Sequence, residues 1–323
     1  MEINHINLTD QGKSLCIALE NGFCAYSINP LKKRFQCKFE NTKFGNCITI
    51  NDSNIVVCNG TSPQSKNNLF HEKTFAVFDA TLGRQVFMVN STEQIKNIFM
   101  TLNMFGYSTK SEVRIYSFIP PIIQYQFYTS INEYAPCDFV ENENNFTVCF
   151  VGREPGMLRM VQSRENNRQD ISVPAHSHPL SLIKINPKGE IVSTVSMIGT
   201  LIQLYDTKTG EMIGKFRRGK LPAEITCMDF SPDSSFLAVS SSKCTIHLFS
   251  LSNLPNTNQN PPRAVIKLSF PELGSSPFCF TSKNYICAAL NCGIIHILKI
   301  NKNTNSFEIE SSESFIDLIN KEK

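Results

Sequence analysis

The residues best suited to chemistry in this 323-residue chain are Phe216-Arg217-Arg218-Gly219. A guanidinium presents a planar fork that matches the oxygens of a phosphate. Successive side chains on an extended strand point to opposite faces, so two adjacent arginines cannot clamp one anion together. The pair therefore predicts two anion sites, one on each side of its strand. Further donors recur in matching places along the chain: Ser196 and Thr200, with Lys184 or His176 nearby, for Arg217, and Ser240, Ser241, Lys243, Thr245 and His247 for Arg218. Hydroxyls add neutral donors, and an imidazole beside phosphate tends to protonate. Cations, hydroxyls and imidazole without carboxylates make a phosphate receptor and not a hydrolase. Taken singly, each has an ordinary structural role: solvated surface for the arginines, a solvent-facing strand position for Lys184, turn caps for the hydroxyls, and core imidazoles for His247 and His296.

The elements that must hold these residues are short. Runs such as CIAL, FCAYSI, IVVC, TFAVF, VRIYSF, FTVCFV, LIQLY, LAVS and TIHLF are four to six residues long. They are separated by NPKG, SPDSS, NDSN and TKTG clusters that supply turn conformations. No segment sustains helical periodicity through three turns, which predicts an all-β chain. Asn186–Thr200 lies over Ser231–Thr245 at an offset of 45, with Pro187 on Pro232, Ser196 on Ser241 and Thr200 on Thr245; one residue is skipped before LIQLY meets IHLF. A period near 45 with four strands per unit is the signature of a β-propeller. It predicts seven blades of four antiparallel strands at about 1–40, 41–89, 90–130, 131–173, 174–219, 220–270 and 271–323, closing one WD40-like domain over 1–323. Periodicity is weakest in 90–130.

Composition sets the outer bounds. With 31 Lys and Arg against 28 Asp and Glu, the net charge of +3 argues against a chain held to nucleic acid by its overall field. No apolar run reaches the length of a membrane span and no secretory leader opens the sequence, which places the chain in the cytosol. The 12 cysteines show no C-x-x-C pair and read as small buried thiols, with no metal site and no cofactor. Neither a Gly-rich phosphate cradle nor a nucleophile elbow is present, which argues against an enzyme.

In its full setting the motif resembles the PROPPIN, or WIPI, family of phosphoinositide-binding propellers. The resemblance rests on Ala175-His176, Pro179-Leu180, Gly199-Thr200, Phe216-Arg217-Arg218-Gly219 and Thr245-Ile246-His247, with weaker likeness in Asn21-Gly22-Phe23, Phe75–Asp79 and Pro155-Gly156. It implies binding of phosphatidylinositol 3-phosphate and phosphatidylinositol 3,5-bisphosphate at two rim sites. The first would hold His176, Ser196, Thr200 and Arg217, and the second Arg218, Ser240, Ser241, Lys243 and Thr245. It further implies a monomeric adaptor in autophagy, recruited peripherally to phagophore or endolysosomal membranes and engaging scaffold or lipid-transfer proteins. Three departures stand out. Gln203 replaces a common Arg, Cys244 replaces a common Gly, and the sixth-blade loop from Ser250 to Pro262 has only Leu251 and Leu254 as large apolar residues for membrane contact. These departures motivate the alternative of a protein-interaction propeller whose lipid binding is weakened or lost.

Overall fold

The computed structural model describes residues 3–320 except 10, 40–41, 51, 62–69, 144, 165–166, 253, 255–260, 302–303 and 305. The strands form seven four-stranded antiparallel sheets, each in simple chain order. The first contains β1–β4 (Ile3–Thr9, Ser14–Leu19, Gly22–Ile28, Leu31–Lys38) and the second β5–β8 (Phe44–Ile48, Ile55–Gly60, Thr74–Asp79, Arg84–Asn90). The third contains β9–β12 (Ile95–Met100, Met104–Thr109, Glu112–Ser117, Ile123–Tyr128). The fourth contains β13–β16 (Cys137–Asn142, Asn145–Val151, Met157–Arg164, Asn167–Pro174) and the fifth β17–β20 (Leu180–Ile185, Ile191–Ser196, Leu201–Asp206, Met212–Arg217). The sixth contains β21–β24 (Ile225–Phe230, Phe236–Ser241, Thr245–Ser250, Ile266–Ser269) and the seventh β25–β28 (Phe278–Ser282, Tyr285–Ala289, Ile294–Asn301, Ser306–Ser314), followed by the short helix α1 (Ile316–Asn320). This is a seven-bladed β-propeller. The sheets fall in the spans read from the repeat, with β8 and β16 each running one residue past its expected end. The third sheet is as regular as the others despite its faint period.

Burial explains the patterning of the strands. Middle strands such as β2 and β3 are covered on both faces, so they read as continuous apolar runs padded with Cys, Ala and Ser. Outer strands such as β8 and β16 are exposed on one side and alternate. Seven of the 12 cysteines are buried, four are half-buried and only Cys292 is exposed; burial pushes Cys24 and Cys287 up to about 12, so those thiols stay protonated and inert.

Two compact units divide the chain. One comprises residues 1–128, 291–294 and 313–323; the other comprises 129–290 and 295–312. In the first, a cluster of phenylalanines replaces the missing Trp as core anchor: Phe44 sits 5.3 Å from Phe23, 4.8 Å from Phe70 and 5.7 Å from Phe78 between ring centroids. In the second, innermost strands of neighbouring blades are tied together by a carboxylate accepting from a backbone amide. Asp138 Oδ2 accepts from Ile185 N at 2.7 Å, and Asp229 Oδ2 accepts from Phe280 N at 2.8 Å. Lys184 lies between Asp138 and Asp229, 3.7 Å from the first and 3.9 Å from the second. It is therefore engaged in joining blades and does not sit with the anion-site residues.

Burial raises the Asp229 carboxyl from 3.8 to about 6, against the pull of Lys184. Between those two values the folded protein holds a proton that the unfolded chain releases, so this group's contribution to stability is present at low pH and lost as pH rises through about 6. Asp229→Asn keeps an acceptor for Phe280 N and removes the titration. The stability difference between wild type and variant, measured by urea unfolding, is expected to move against wild type as pH rises from about 4 to about 7; a flat difference would contradict the raised titration.

Candidate anion-binding site on blades 5 and 6

Phe216 sets the geometry of the arginine pair. It is 2% exposed and packs into a cluster with Ile202, Val239 and Phe249, its ring 4.9 Å from that of Phe249. That cluster is drawn from the fifth and sixth sheets, so the Phe216 face of β20 looks toward blade 6. Arg217 must then lie on the opposite face. Register pairs it with Leu201, and pairs Lys215 with Gln203 on the same face. Tyr205, two residues beyond Gln203, belongs to the cluster shared with the fourth sheet, so this second face looks toward blade 4.

On the face toward blade 4, His176 Nε2 lies 3.0 Å from Thr194 Oγ1, and Tyr205 donates to Gln203 Oε1 at 2.6 Å and to Ala175 O at 3.3 Å. Ser196 ends β18 on this face. Arg217 is half-buried, its amide bonded to Pro262 O at 2.9 Å, and among the described residues its side chain makes no ion pair. Arg218 turns the other way. Its amide donates to Thr200 O at 3.0 Å, its Nε to Gly199 O at 2.9 Å and its Nη2 to Leu221 O at 2.5 Å. Thr200, expected beside Arg217, is thus joined through its backbone to Arg218.

Blade 6 repeats the arrangement. Register places Ser241 opposite Thr245, and His247 opposite both Val239 and Lys267. Val239 and Phe249 lie in the cluster with Phe216, so this face looks back toward blade 5 and toward Arg218. Thr245 Oγ1 is 3.2 Å from Ser241 Oγ and 3.1 Å from His247 Nε2. Ser240 departs from the expectation: strand alternation turns it to the other face, where its Oγ is 2.8 Å from Thr226 Oγ1. Lys243 is exposed at the tip of the turn, and Lys220 is exposed beyond the arginines.

Burial lowers both His176 and His247 to about 4, with Lys215 adding to the effect at the first and Lys267 and Arg218 at the second. Each ring is neutral at pH 7, in contrast to the imidazolium expected beside a phosphate; the neighbouring cations and poor solvation disfavour a second charge. His296 is a core imidazole, 7% exposed and bonded to Ser312 Oγ at 2.6 Å. The membrane-contact role expected of Leu251 and Leu254 does not fit their packing. Leu251 is 8% exposed inside the cluster around Phe216, and Leu254 packs against that cluster. Both are held by the apolar seam of blades 5 and 6; positions 253 and 255–260 of that loop lie outside the described residues.

Register brings in three residues that motif reading passes over: Thr194, Lys215 and Lys267. Lys215 lies directly across from Gln203, the position where the motif lacks a cation. Lys267 holds the equivalent place across from His247, but the long connection from β23 to β24 breaks the repeat offset that would have revealed it.

The PROPPIN family profile matches residues 130–268, a span that holds both arginines and the hydroxyls, imidazoles and lysines placed around them. SVP1-like protein 2 of Schizosaccharomyces pombe is 28% identical over 255 residues, covering 79% of this chain and 69% of its own length. Autophagy-related protein 18 of Aspergillus terreus is 37% identical over 109 residues, 32% of this chain and 26% of that protein. A solved complex of KlAtg21 with the coiled coil of AgAtg16 superposes with a TM-score of 0.78 at 16% identity, over 98% of this chain and 100% of that one. Over residues 130–268 the chain is similar to the PROPPIN family. PROPPINs are phosphoinositide-binding propellers of a non-enzymatic, scaffold type.

One departure from the PROPPIN pattern has a measurable cost. The turn Ser196–Gly199 closes with Gly199 N donating to Ser196 O at 2.9 Å, and the turn Ser241–Cys244 closes in the same way at 2.9 Å. Both fourth residues take left-handed backbone, Gly199 at φ 65° and Cys244 at φ 53°. A side chain in that region costs roughly 1–2 kcal/mol, partly offset by the freedom glycine gains when unfolded. Cys244→Gly is therefore expected to stabilise the protein by up to about 1 kcal/mol in chemical denaturation. Gly199→Ala is expected to destabilise it by more than about 2 kcal/mol, because strain is compounded by a Cβ placed 1.9 Å from Ala223 O.

Proposed function

We propose that this propeller acts as a PROPPIN and binds phosphatidylinositol 3-phosphate and phosphatidylinositol 3,5-bisphosphate through two headgroup sites flanking β20. What supports this reading is strand alternation, which sends Arg217 to the face of β20 toward blade 4 and Arg218 back toward blade 6. Arg217 acts with His176 and Ser196, and Lys215 supplies a cation across from Gln203. Arg218 acts with Ser241, Thr245 and Lys243, and Lys267 flanks His247. Two moderate sites on neighbouring blades gain from avidity, since the second headgroup binds at the effective concentration set by the first. Chemistry of this kind serves a peripheral adaptor, recruited from the cytoplasm to phagophore or endolysosomal membranes. The resemblance to a propeller solved with a coiled coil supports a protein partner on the same scaffold.

Flotation on vesicles containing phosphatidylinositol 3-phosphate tests the reading. Arg217→Ala and Arg218→Ala are each expected to weaken binding about tenfold or more, and the double variant to abolish it, with salt weakening all residual binding. Undiminished flotation of the double variant would overturn the proposal. The burial of Leu251 and the loss of a cation at Gln203 favour a second reading, a protein-interaction propeller with little lipid affinity. That reading requires wild type to float no better on 3-phosphorylated lipid than on plain phosphatidylinositol.

Lys215 can be isolated by working in the Arg218→Ala background, where only the site facing blade 4 remains. Adding Lys215→Ala is expected to weaken flotation a further several-fold, about the effect of one partly buried cation. Equal binding with and without Lys215 would remove it from the site.

A further inference from the structure

Leu251 and Leu254 are committed to the seam of blades 5 and 6, yet other large apolar side chains are left in solvent beside the arginine motif. Leu221, which lies just beyond Arg218 in the chain, is 75% exposed. Met197, which follows Ser196 in the turn from β18 to β19, is 45% exposed. Pro222 is exposed beside Leu221.

A single exposed leucine is ordinary on a protein surface, but these two residues are braced against each other. Arg218 ties their segments together: its amide donates to Thr200 O at 3.0 Å and its Nε to Gly199 O at 2.9 Å, while its Nη2 donates to Leu221 O at 2.5 Å. Ala223 N closes the arrangement on Ile198 O at 3.2 Å. Gly199 permits this approach, because Ala223 O lies 1.9 Å from where a Cβ would stand. The blade 6 turn is joined to the same segment by Ser242 N donating to Glu224 O at 2.9 Å. Apolar side chains presented on backbone that is already ordered lose little further entropy when another surface covers them.

The surrounding charge suits one kind of surface. Residues 215–224 and 241–245 contribute Lys215, Arg217, Arg218, Lys220 and Lys243, against Glu224 as their acid. Lys220, Lys243 and Glu224 are exposed. An apolar tip set among cations matches the interface of an anionic bilayer, where apolar groups enter the acyl boundary and cations stay among the headgroups. Met197 is next in the chain to Ser196, and Leu221 is bonded to Arg218. A membrane that presents headgroups to both faces of β20 therefore lies across the strand end that carries both apolar residues.

We propose that Met197 and Leu221 are the membrane-entering tip of this propeller, carried into the interfacial layer of an anionic bilayer beside the two headgroup sites. This role rests on the headgroup reading above, and it takes the place of the membrane contact expected of Leu251 and Leu254. Continuity with the headgroup sites and the excess of cations favour a bilayer over a protein as the surface that covers the tip.

The chain contains no Trp, so a single introduced indole reports without background. On vesicles containing phosphatidylinositol 3-phosphate, Leu221→Trp and Met197→Trp are expected to shift their emission to shorter wavelength and to be quenched by brominated acyl chains. Leu82→Trp, at an exposed position on blade 2, is expected to do neither. Leu221→Ser should weaken flotation on the same vesicles about tenfold, the effect of withdrawing one leucine from the bilayer. It should bind soluble inositol 1,3-bisphosphate as wild type does, because Arg218 is bonded to the backbone of residue 221 and not to its side chain. Wild type that fails to float overturns the headgroup reading and this role with it. Flotation with both indoles still solvated and unquenched, or undiminished flotation of Leu221→Ser, overturns the tip alone and leaves the headgroup sites standing. Equal loss of vesicle and soluble-headgroup binding in Leu221→Ser also overturns the tip, since the residue would then act on the headgroup and not on the bilayer.

Discussion

The burial of Phe216 is the constraint on which the proposed sites depend. Its ring is locked into the apolar seam between the fifth and sixth sheets, which fixes the rotation of β20 about its own axis. Once that rotation is fixed, the period of two along a strand leaves no freedom in where the next side chains go. Arg217 must face blade 4 and Arg218 must turn back toward blade 6. A slip of one residue would bury an arginine in the seam and expose the phenylalanine, so the packing that stabilises the strand also separates the two cations.

The same seam explains why neighbouring residues cannot be exchanged between roles. Ser240 and Ser241 are adjacent in the chain, yet one bonds to Thr226 on the innermost strand and the other to Thr245 in the cleft. Leu251 and Leu254 continue the seam instead of leaving it. Two histidines beside cationic neighbours are kept neutral by burial, so a bound phosphate would have to supply the charge that protonates them. At the other end of the same blades, Gln162 uses its amide nitrogen to join blade 4 to blade 5.

Much of this architecture is legible in the chain itself. The offset that superposes Pro187 on Pro232 and Ser196 on Ser241 yields the blade count and, to within a residue, the limits of the sheets. It even exposes the one-residue difference between the two turns, which register reproduces as Val195 with Ile202 in one sheet and Ser240 with Ile246 in the next. The third sheet is faint in the sequence although the sheet itself has the same four-stranded order as the others.

The sequence by itself determined the repeat, the all-β class and the opposed directions of Arg217 and Arg218, because each follows from periodicity along one strand. Only the tertiary structure decided which neighbours those arginines meet, because that depends on pairing between strands distant in the chain. Lys215 across from Gln203, Lys267 across from His247, and Lys184 drawn away between Asp138 and Asp229 are all products of register and blade packing. No local spacing encodes them.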